Sequence, residues 1–327
     1  MIIVANGCSF IYGNELSDMR YTGSPSRLTY PALLSRGHEY YCVATGGASN
    51  QAITRTTMDA CRTYQPDFVF VQWTFPNRYE FRFDFYTGQK KSPWYDINAW
   101  AIKDIDKLHE IEQEFHTQND GILQTQINTI KKDIASGVSD FAKVYYKYIA
   151  INEYWEVYST LKEIVLLQNY LKAHNIGYLF TTADNCILNN WTIETNTQKR
   201  RTSTPLGFQP WPINDEDVKL DDTILTLYEE IDFDKFWWFP VPSPYTNKNQ
   251  RPEWWPKGYG SWDNERNTWV EEDGSEPVID EDLQPRGFYQ WAVENKYPVG
   301  TTHPLDEAHA AAAELLRETF NVHSKMV

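Results

Sequence analysis

Ile2-Ile3-Val4-Ala5-Asn6-Gly7-Cys8, running on into Ser9-Phe10-Ile11-Tyr12-Gly13, is the stretch from which the rest of the chain can be read. Residues 2–8 form a short, nearly unbroken apolar run that ends in a turn, which predicts a buried strand. Strands that are apolar on both sides belong to sheets covered on both faces, and such sheets are mostly parallel. Runs of the same kind recur at 39–45, 67–73 and 176–182. Between them lie segments with helical spacing: Tyr30 to Leu34, with Pro31 near its start, and 50–63. The clearest is 141–173, where Tyr154, Val157, Leu161, Ile164, Val165, Gln168 and Leu171 follow a 3.6-residue period. Pro304 opens a last helix over 305–320. Strands alternating with helices predict an α/β protein, a three-layer α/β/α arrangement around a mainly parallel central sheet. The aromatic, polar stretches 78–140 and 184–295 read as loop-rich insertions of a single domain spanning 1–327, folded over it as a lid or cap. A connection as long as 184–295 is expected to contain short elements of its own.

The chain has 327 residues, 41% of them hydrophobic, enough for a sizeable core. Its formal net charge of -15 repels phosphate backbones and anionic headgroups, so neither nucleic acid nor a membrane surface is an expected partner. Lys199-Arg200-Arg201 is a short basic cluster and reads as a solvated loop. Cys8, Cys42, Cys61 and Cys186 show no C-x-x-C spacing and are expected to be reduced thiols. A strand starting directly at Met1-Ile2-Ile3-Val4, without a basic and then apolar leader, predicts a cytoplasmic protein with no signal peptide. No metal is implied, because the seven histidines do not cluster at ligand spacing, and no cofactor motif is present.

In parallel sheets ligands bind at the carboxyl ends of the strands. Four segments fall there or can approach from the C-terminus. Gly7-Cys8-Ser9 follows the first strand; its glycines allow a sharp turn that presents the Ser9 hydroxyl and N–H together, although a serine there is also an ordinary helix cap. Gly46-Gly47-Ala48-Ser49-Asn50 follows the second strand, where Gly47 can offer a backbone N–H and Ser49 or Asn50 can cap the next helix. Thr74 and Asn77, after the third strand, can each position or donate to an anion. Arg78 and Glu80 read as a structural salt bridge. His303 stands before the helix-opening Pro304, and His309 follows one turn and a half later.

Taken singly, each segment has a bland structural explanation. In this order they resemble the SGNH (GDSL-like) hydrolases, with a flavodoxin-like sheet, and in particular divergent members often encoded by bacteriophages. Those carry similar Trp-Thr and Gln-x-x-Leu signatures, here Trp73-Thr74 and Gln168-Asn169-Tyr170-Leu171. The likeness touches the whole chain as four short blocks. Gly7-Cys8-Ser9 matches a block that is usually Gly-Asp-Ser, Gly47 the glycine of the second, Thr74 the asparagine of the third, and His303-Pro304 the last. The family's aspartate, three residues before its histidine, is Gly300 here, while Asp306 three residues before His309 is taken as coincidence.

The resemblance implies Ser9 as nucleophile and His303 as general base, with the Ser9 and Gly47 N–H groups and Thr74, or Asn77 in its stead, as the oxyanion hole. It implies a dyad, or an incomplete triad whose acid comes from elsewhere, acting on an acyl ester as an esterase or deacetylase. The alternative is a weak or inactive scaffold that binds glycans or serves as a phage accessory protein, with virion association. Trp237-Trp238, Trp254-Trp255, Trp262 and Trp269 can form stacking platforms for an O-acetylated glycan, or else the lid's own small core or an oligomer interface; the packing reading is favoured. An unrelated nucleotide-binding α/β domain is disfavoured, since no turn carries a complete phosphate-cradling glycine motif.

Overall fold

A computed structural model describes residues 1–21, 24–82, 94–97, 127–128, 131, 134–135, 137–150, 153–184, 221–240, 261–263, 268–270 and 286–324. The first strand, β1 (Ile2–Asn6), leads through a single-turn helix α1 (Ser9–Tyr12) and helix α2 (Tyr30–Leu34) to β2 (Glu39–Cys42). Helix α3 (Asn50–Tyr64) then leads to β3 (Phe68–Trp73), which is followed by the hairpin β4 (Tyr79–Arg82) and β5 (Trp94–Ile97). Next come α4 (Val138–Tyr145), a π-helical turn (Tyr146–Ala150), α5 (Glu153–Ala173) and β6 (Gly177–Thr182). The remaining elements are α6 (Asp222–Glu229), a hairpin of β7 (Ser261–Asp263) and β8 (Thr268–Val270), α7 (Phe288–Glu294) and α8 (Asp306–Ser324).

The central sheet is parallel throughout, in the order β2-β1-β3-β6. Side chains alternate faces along each strand. Ile3, Ala5, Phe68, Phe70 and Leu179 point into one core with Leu34, Phe288, Trp291, Ala312, Leu316 and Phe320 of α2, α7 and α8. Val4, Val69, Val71, Trp73, Tyr178 and Phe180 point into a second core with Ile53, Val157, Leu161, Ile164, Leu167 and Ile224 of α3, α5 and α6. Helices therefore cover both faces, and this is the three-layer α/β/α architecture expected from the apolar runs.

One helix differs from the sequence reading for a physical reason, and two other readings can be made more definite. The segment expected as one α-helix over 141–173 is not α-helical throughout: α4 passes into a π-helical turn at Tyr146–Ala150, and α5 is described from Glu153. At the π turn the Tyr146 hydroxyl donates to the carbonyls of Asn77 (2.6 Å) and Ile97 (3.1 Å), and α4 packs on the β4–β5 hairpin. The Gln-x-x-Leu signature proves to be structural. Gln168 donates to the Glu230 carbonyl and accepts from the Asp232 N–H, while Leu171 is fully buried. Trp237 and Trp238 are half-buried against the two cores, Trp238 stacking on Phe236, so they are packing residues. The backbones of Trp262 and Trp269 are paired across the β7–β8 hairpin. Most of 78–140 and 184–295, with Trp254-Trp255, Lys199-Arg200-Arg201 and Cys186, lies outside the described residues. No helix among the described residues is long and apolar enough to cross a membrane.

Helix α8 is fixed on α2 by His309, whose Nδ1 accepts the Tyr30 backbone N–H (3.2 Å) and whose ring stacks on Tyr30. Burial drives its pKa down to about 3, so the ring is neutral. A folded-state pKa below the unfolded one gives stability that is complete above the unfolded value, about 6.5, and is lost as pH falls toward the folded value, by about 1.4 kcal/mol per pH unit. Urea unfolding at a series of pH values should show wild type losing stability relative to His309→Gln between pH ~6.5 and ~4. A constant difference would contradict the neutral, buried ring.

Candidate active site

The sheet order places a crevice before any side chain is considered. From β1 the chain goes to β2 on one side by way of α1 and α2, then crosses to β3 on the other side by way of α3. Connections that leave on opposite faces open a crevice at the carboxyl ends of the two central strands. The last pair between β1 and β3 is Asn6 with Val71, and Ser9 and Thr74 each stand three residues beyond it, Thr74 directly after the end of the β3–β6 ladder at Trp73.

The turn that carries Ser9 is held from below. The Asn6 amide donates to the Ile53 carbonyl (2.9 Å) and to the Thr56 and Thr57 hydroxyls (both 2.8 Å), while its oxygen accepts the Gly7 N–H (2.8 Å). A Cβ on Gly7 would lie 2.6 Å from Ile11 Cγ1 and 3.2 Å from the Gln72 carbonyl, so any side chain there would push the turn off β3. Ser9 is the first residue of α1 and Cys8 stands at the N-cap position without a side-chain cap bond, so the serine does not act as the helix cap considered for it. The Ser9 N–H therefore belongs to the set that a helix start leaves without an internal partner.

Gly47 has φ +79°, a left-handed conformation in which a side chain would be strained. Ser49 caps α3 by accepting the Ala52 N–H (3.1 Å), and its own N–H donates to Asp96 Oδ1 of β5 (2.8 Å). Burial raises the Asp96 carboxyl pKa, against the pull of the Ser49 bonds. The hairpin is fastened to α3 as well: Arg55 forms a two-pronged pair with Glu80, not the Arg78 expected from sequence.

Thr74 is gripped by Asn50, whose side-chain oxygen accepts the Thr74 N–H (2.9 Å) and whose amide donates to the Thr74 carbonyl (3.2 Å). Arg78, only 3% exposed, donates from Nη1 to the Thr74 hydroxyl (3.1 Å) and to the Ala48 carbonyl (3.4 Å). Asn77 is buried, with its carbonyl on Tyr146. From this turn it is Arg78, not Asn77, that reaches Thr74.

His303 arrives from the far end of the chain. Its ring lies 5.0 Å from that of Phe10, the residue after Ser9, and the two blocks meet through that ring and not through a closed serine–imidazole hydrogen bond among the described residues. The hydrogen bonds of His303 run through Nδ1, to Glu15 Oε1 (3.0 Å) and to the Thr302 hydroxyl (2.8 Å). A carboxylate only accepts, so Nδ1 carries the proton and Nε2 presents its lone pair. Burial holds the imidazole below its usual pKa, Glu15 opposes that shift, and Arg78 adds to it. The ring is therefore neutral near pH 7.

Glu15 was not singled out in the sequence. It lies 288 positions from His303, and its carboxylate also takes the Thr302 hydroxyl (3.3 Å) and N–H (3.4 Å). It occupies the space above Gly300: a Cβ at that position would fall 2.0 Å from Glu15 Oε2. Position 300 is where the resemblance expects the aspartate, and the structure fills that place with a carboxylate from the other terminus. Two signals were available in the sequence: a glycine where the acid is missing, and a lone glutamate shortly after the serine turn. The rival spacing, Asp306 and His309, is separated in space, since Asp306 binds the Ser17 N–H and hydroxyl while His309 faces Tyr30.

No family model matches the chain, and no curated protein matches it. Among solved structures it is similar to a protein from Desulfitobacterium hafniense described as lipolytic and of the G-D-S-L family. That likeness has 15% identity and a TM-score of 0.19, covering 70% of this chain and 98% of the other. At that score the chemistry has to be read from this chain's own residues.

Because a neighbouring carboxylate favours the imidazolium, removing it lowers the histidine pKa further. Imidazole NMR should place the His303 midpoint below about 6.5 in wild type, and lower again in both Glu15→Gln and Gly300→Ala. An unchanged midpoint in Glu15→Gln would mean that the contact does not form in solution.

Proposed function

We propose that this chain is a serine acyl hydrolase of the SGNH type, in which Ser9, His303 and Glu15 act together on an ester. The observation that carries the reading is the placing of His303: half-buried, oriented through Nδ1 by the Glu15 carboxylate, with its ring against Phe10 of the serine turn and its pKa lowered by desolvation, so that Nε2 is available as a base. Ser9 attacks the acyl carbon as His303 Nε2 takes its proton. The imidazolium, stabilised by Glu15, returns a proton to the leaving alkoxide. Water then attacks the acyl carbon as His303 Nε2 takes its proton, and the imidazolium returns that proton to Ser9 Oγ as the acyl–Ser9 bond breaks and the acid leaves. The Ser9 and Gly47 N–H groups and the Thr74 hydroxyl are the proposed donors to the oxyanion.

A small acyl ester is the proposed substrate class, with O-acetyl groups on a glycan as its natural form. The packing of Trp237 and Trp238 removes two of the aromatic residues considered as sugar platforms, so the glycan reading rests on the others. The second reading is a binding scaffold with little or no turnover, and the unclosed Ser9–His303 contact is the feature that favours it.

p-Nitrophenyl acetate should be turned over by wild type and not by Ser9→Ala or His303→Ala. Glu15→Gln should lower kcat by about 10²–10⁴-fold with KM little changed. Gly300→Asp alone should also be impaired, because its side chain collides with Glu15, whereas Glu15→Ala with Gly300→Asp should recover part of the activity. Absence of wild-type turnover, together with no labelling of Ser9 by an organophosphonate, would leave the binding scaffold as the surviving reading.

A further inference from the structure

We infer that Arg78 is the positioning residue of the oxyanion site: it sets the Thr74 hydroxyl as a donor into the crevice and ties that residue to the Gly47 loop. The inference rests on the acyl-hydrolase reading and deepens it. An amide nitrogen at position 74 would donate by its own geometry, but a threonine hydroxyl rotates and is as ready to accept as to donate. Some other group has to decide which it does.

Arg78 does so by occupying an acceptor site on the oxygen. A guanidinium has donors only, so when Nη1 donates to Thr74 Oγ1 (3.1 Å) the hydroxyl proton cannot return to it and is directed elsewhere. The main chain of Thr74 is fixed on both sides by Asn50, which is itself bonded to Thr160 Oγ1 (3.2 Å), so the hydroxyl has little freedom beyond its own rotation. The same Arg78 nitrogen reaches the Ala48 carbonyl (3.4 Å), next to Gly47. One charged group thus joins the two loops that supply the oxyanion donors apart from Ser9.

The setting makes that charge effective. Arg78 is almost wholly buried, with its guanidinium 4.7 Å above the Phe75 ring, and in such surroundings a charge is weakly screened. Its field is felt at His303, where it opposes protonation, so it lies within electrostatic reach of the proposed base. A donor hydroxyl polarised by a cation gains most where negative charge develops, in the transition state and not in the bound substrate. The effect belongs in kcat.

The test uses the full chain and p-nitrophenyl acetate. Thr74→Val keeps the shape and removes the hydroxyl; it should lower kcat by about 10²–10³-fold with KM within about twofold. Arg78→Gln should lower kcat comparably, Arg78→Lys less, and the Thr74→Val/Arg78→Gln double variant should be no worse than the poorer single one, because both changes remove the same donor. Thr74→Asn should restore activity in the Arg78→Gln background, since an amide needs no cation to aim it. A folded Arg78→Gln with wild-type kcat, or losses that multiply in the double variant, would overturn the inference. Should Arg78→Gln fail to fold, an unchanged kcat in Thr74→Val or Arg78→Lys overturns it equally. Wild-type enzyme without Ser9-dependent turnover or phosphonate labelling would overturn the hydrolase reading itself, and this inference with it.

Discussion

Strand β1 has a parallel neighbour on each flank, and the geometry of the candidate site follows from that. A strand paired on both sides cannot shift along its axis without breaking two ladders, so the point at which it ends is fixed. The chain leaves β1 toward one face of the sheet and reaches β3 over the other, which keeps the carboxyl ends of both strands uncovered by their own connections. The polar residues beneath that edge are spent on holding it. Asn6 ties the serine turn to α3, Asn50 ties the Thr74 turn to the start of the same helix, and Ser49 joins the intervening loop to the hairpin. One helix start therefore sets the relative position of three loops. Sites built on rigid elements in this way keep their geometry better than sites built on free loops.

The acid side of the site is assembled differently, from the two ends of the chain. Glu15 has φ 70°, an uncommon conformation for a residue with a side chain, which costs on the order of 1 kcal/mol. The carboxylate is held there by three donors, two on Thr302 and one on His303. The space it occupies exists only because residue 300 has no side chain. Backbone strain at one end and a missing side chain at the other are thus two parts of one contact. Desolvation disfavours the charged imidazole, while the carboxylate orients the ring through Nδ1 and opposes that shift.

Much of this was legible in the sequence. Unbroken apolar runs in β1, β3 and β6 announced a sheet covered on both faces, and Ser9, Gly47, Thr74 and His303 were singled out by their order along the chain, which resembles that of a known family, and not by any one motif. What escaped has a common cause. Glu15 acts on a residue 288 positions away from an uncommon backbone conformation, and neither property leaves a periodic trace. Arg78 looked like half of a surface pair with Glu80, because a sequence does not show that Arg55, one turn along α3, reaches Glu80 first. The π-helical turn after α4 leaves no mark in the hydrophobic period from which a helix over 141–173 is read.

The contact between Glu15 and Gly300 limits which side chains the two positions can hold together. Glu15 Oε2 stands where a Cβ at 300 would fall, so an acid at 300 and an acid at 15 claim the same volume. One of them would have to give way, and with Glu15 would go the hydrogen bond that orients His303 through Nδ1. The choice of residue at 300 is thus restricted by a side chain from near the opposite end of the chain, a restriction that only the folded protein imposes.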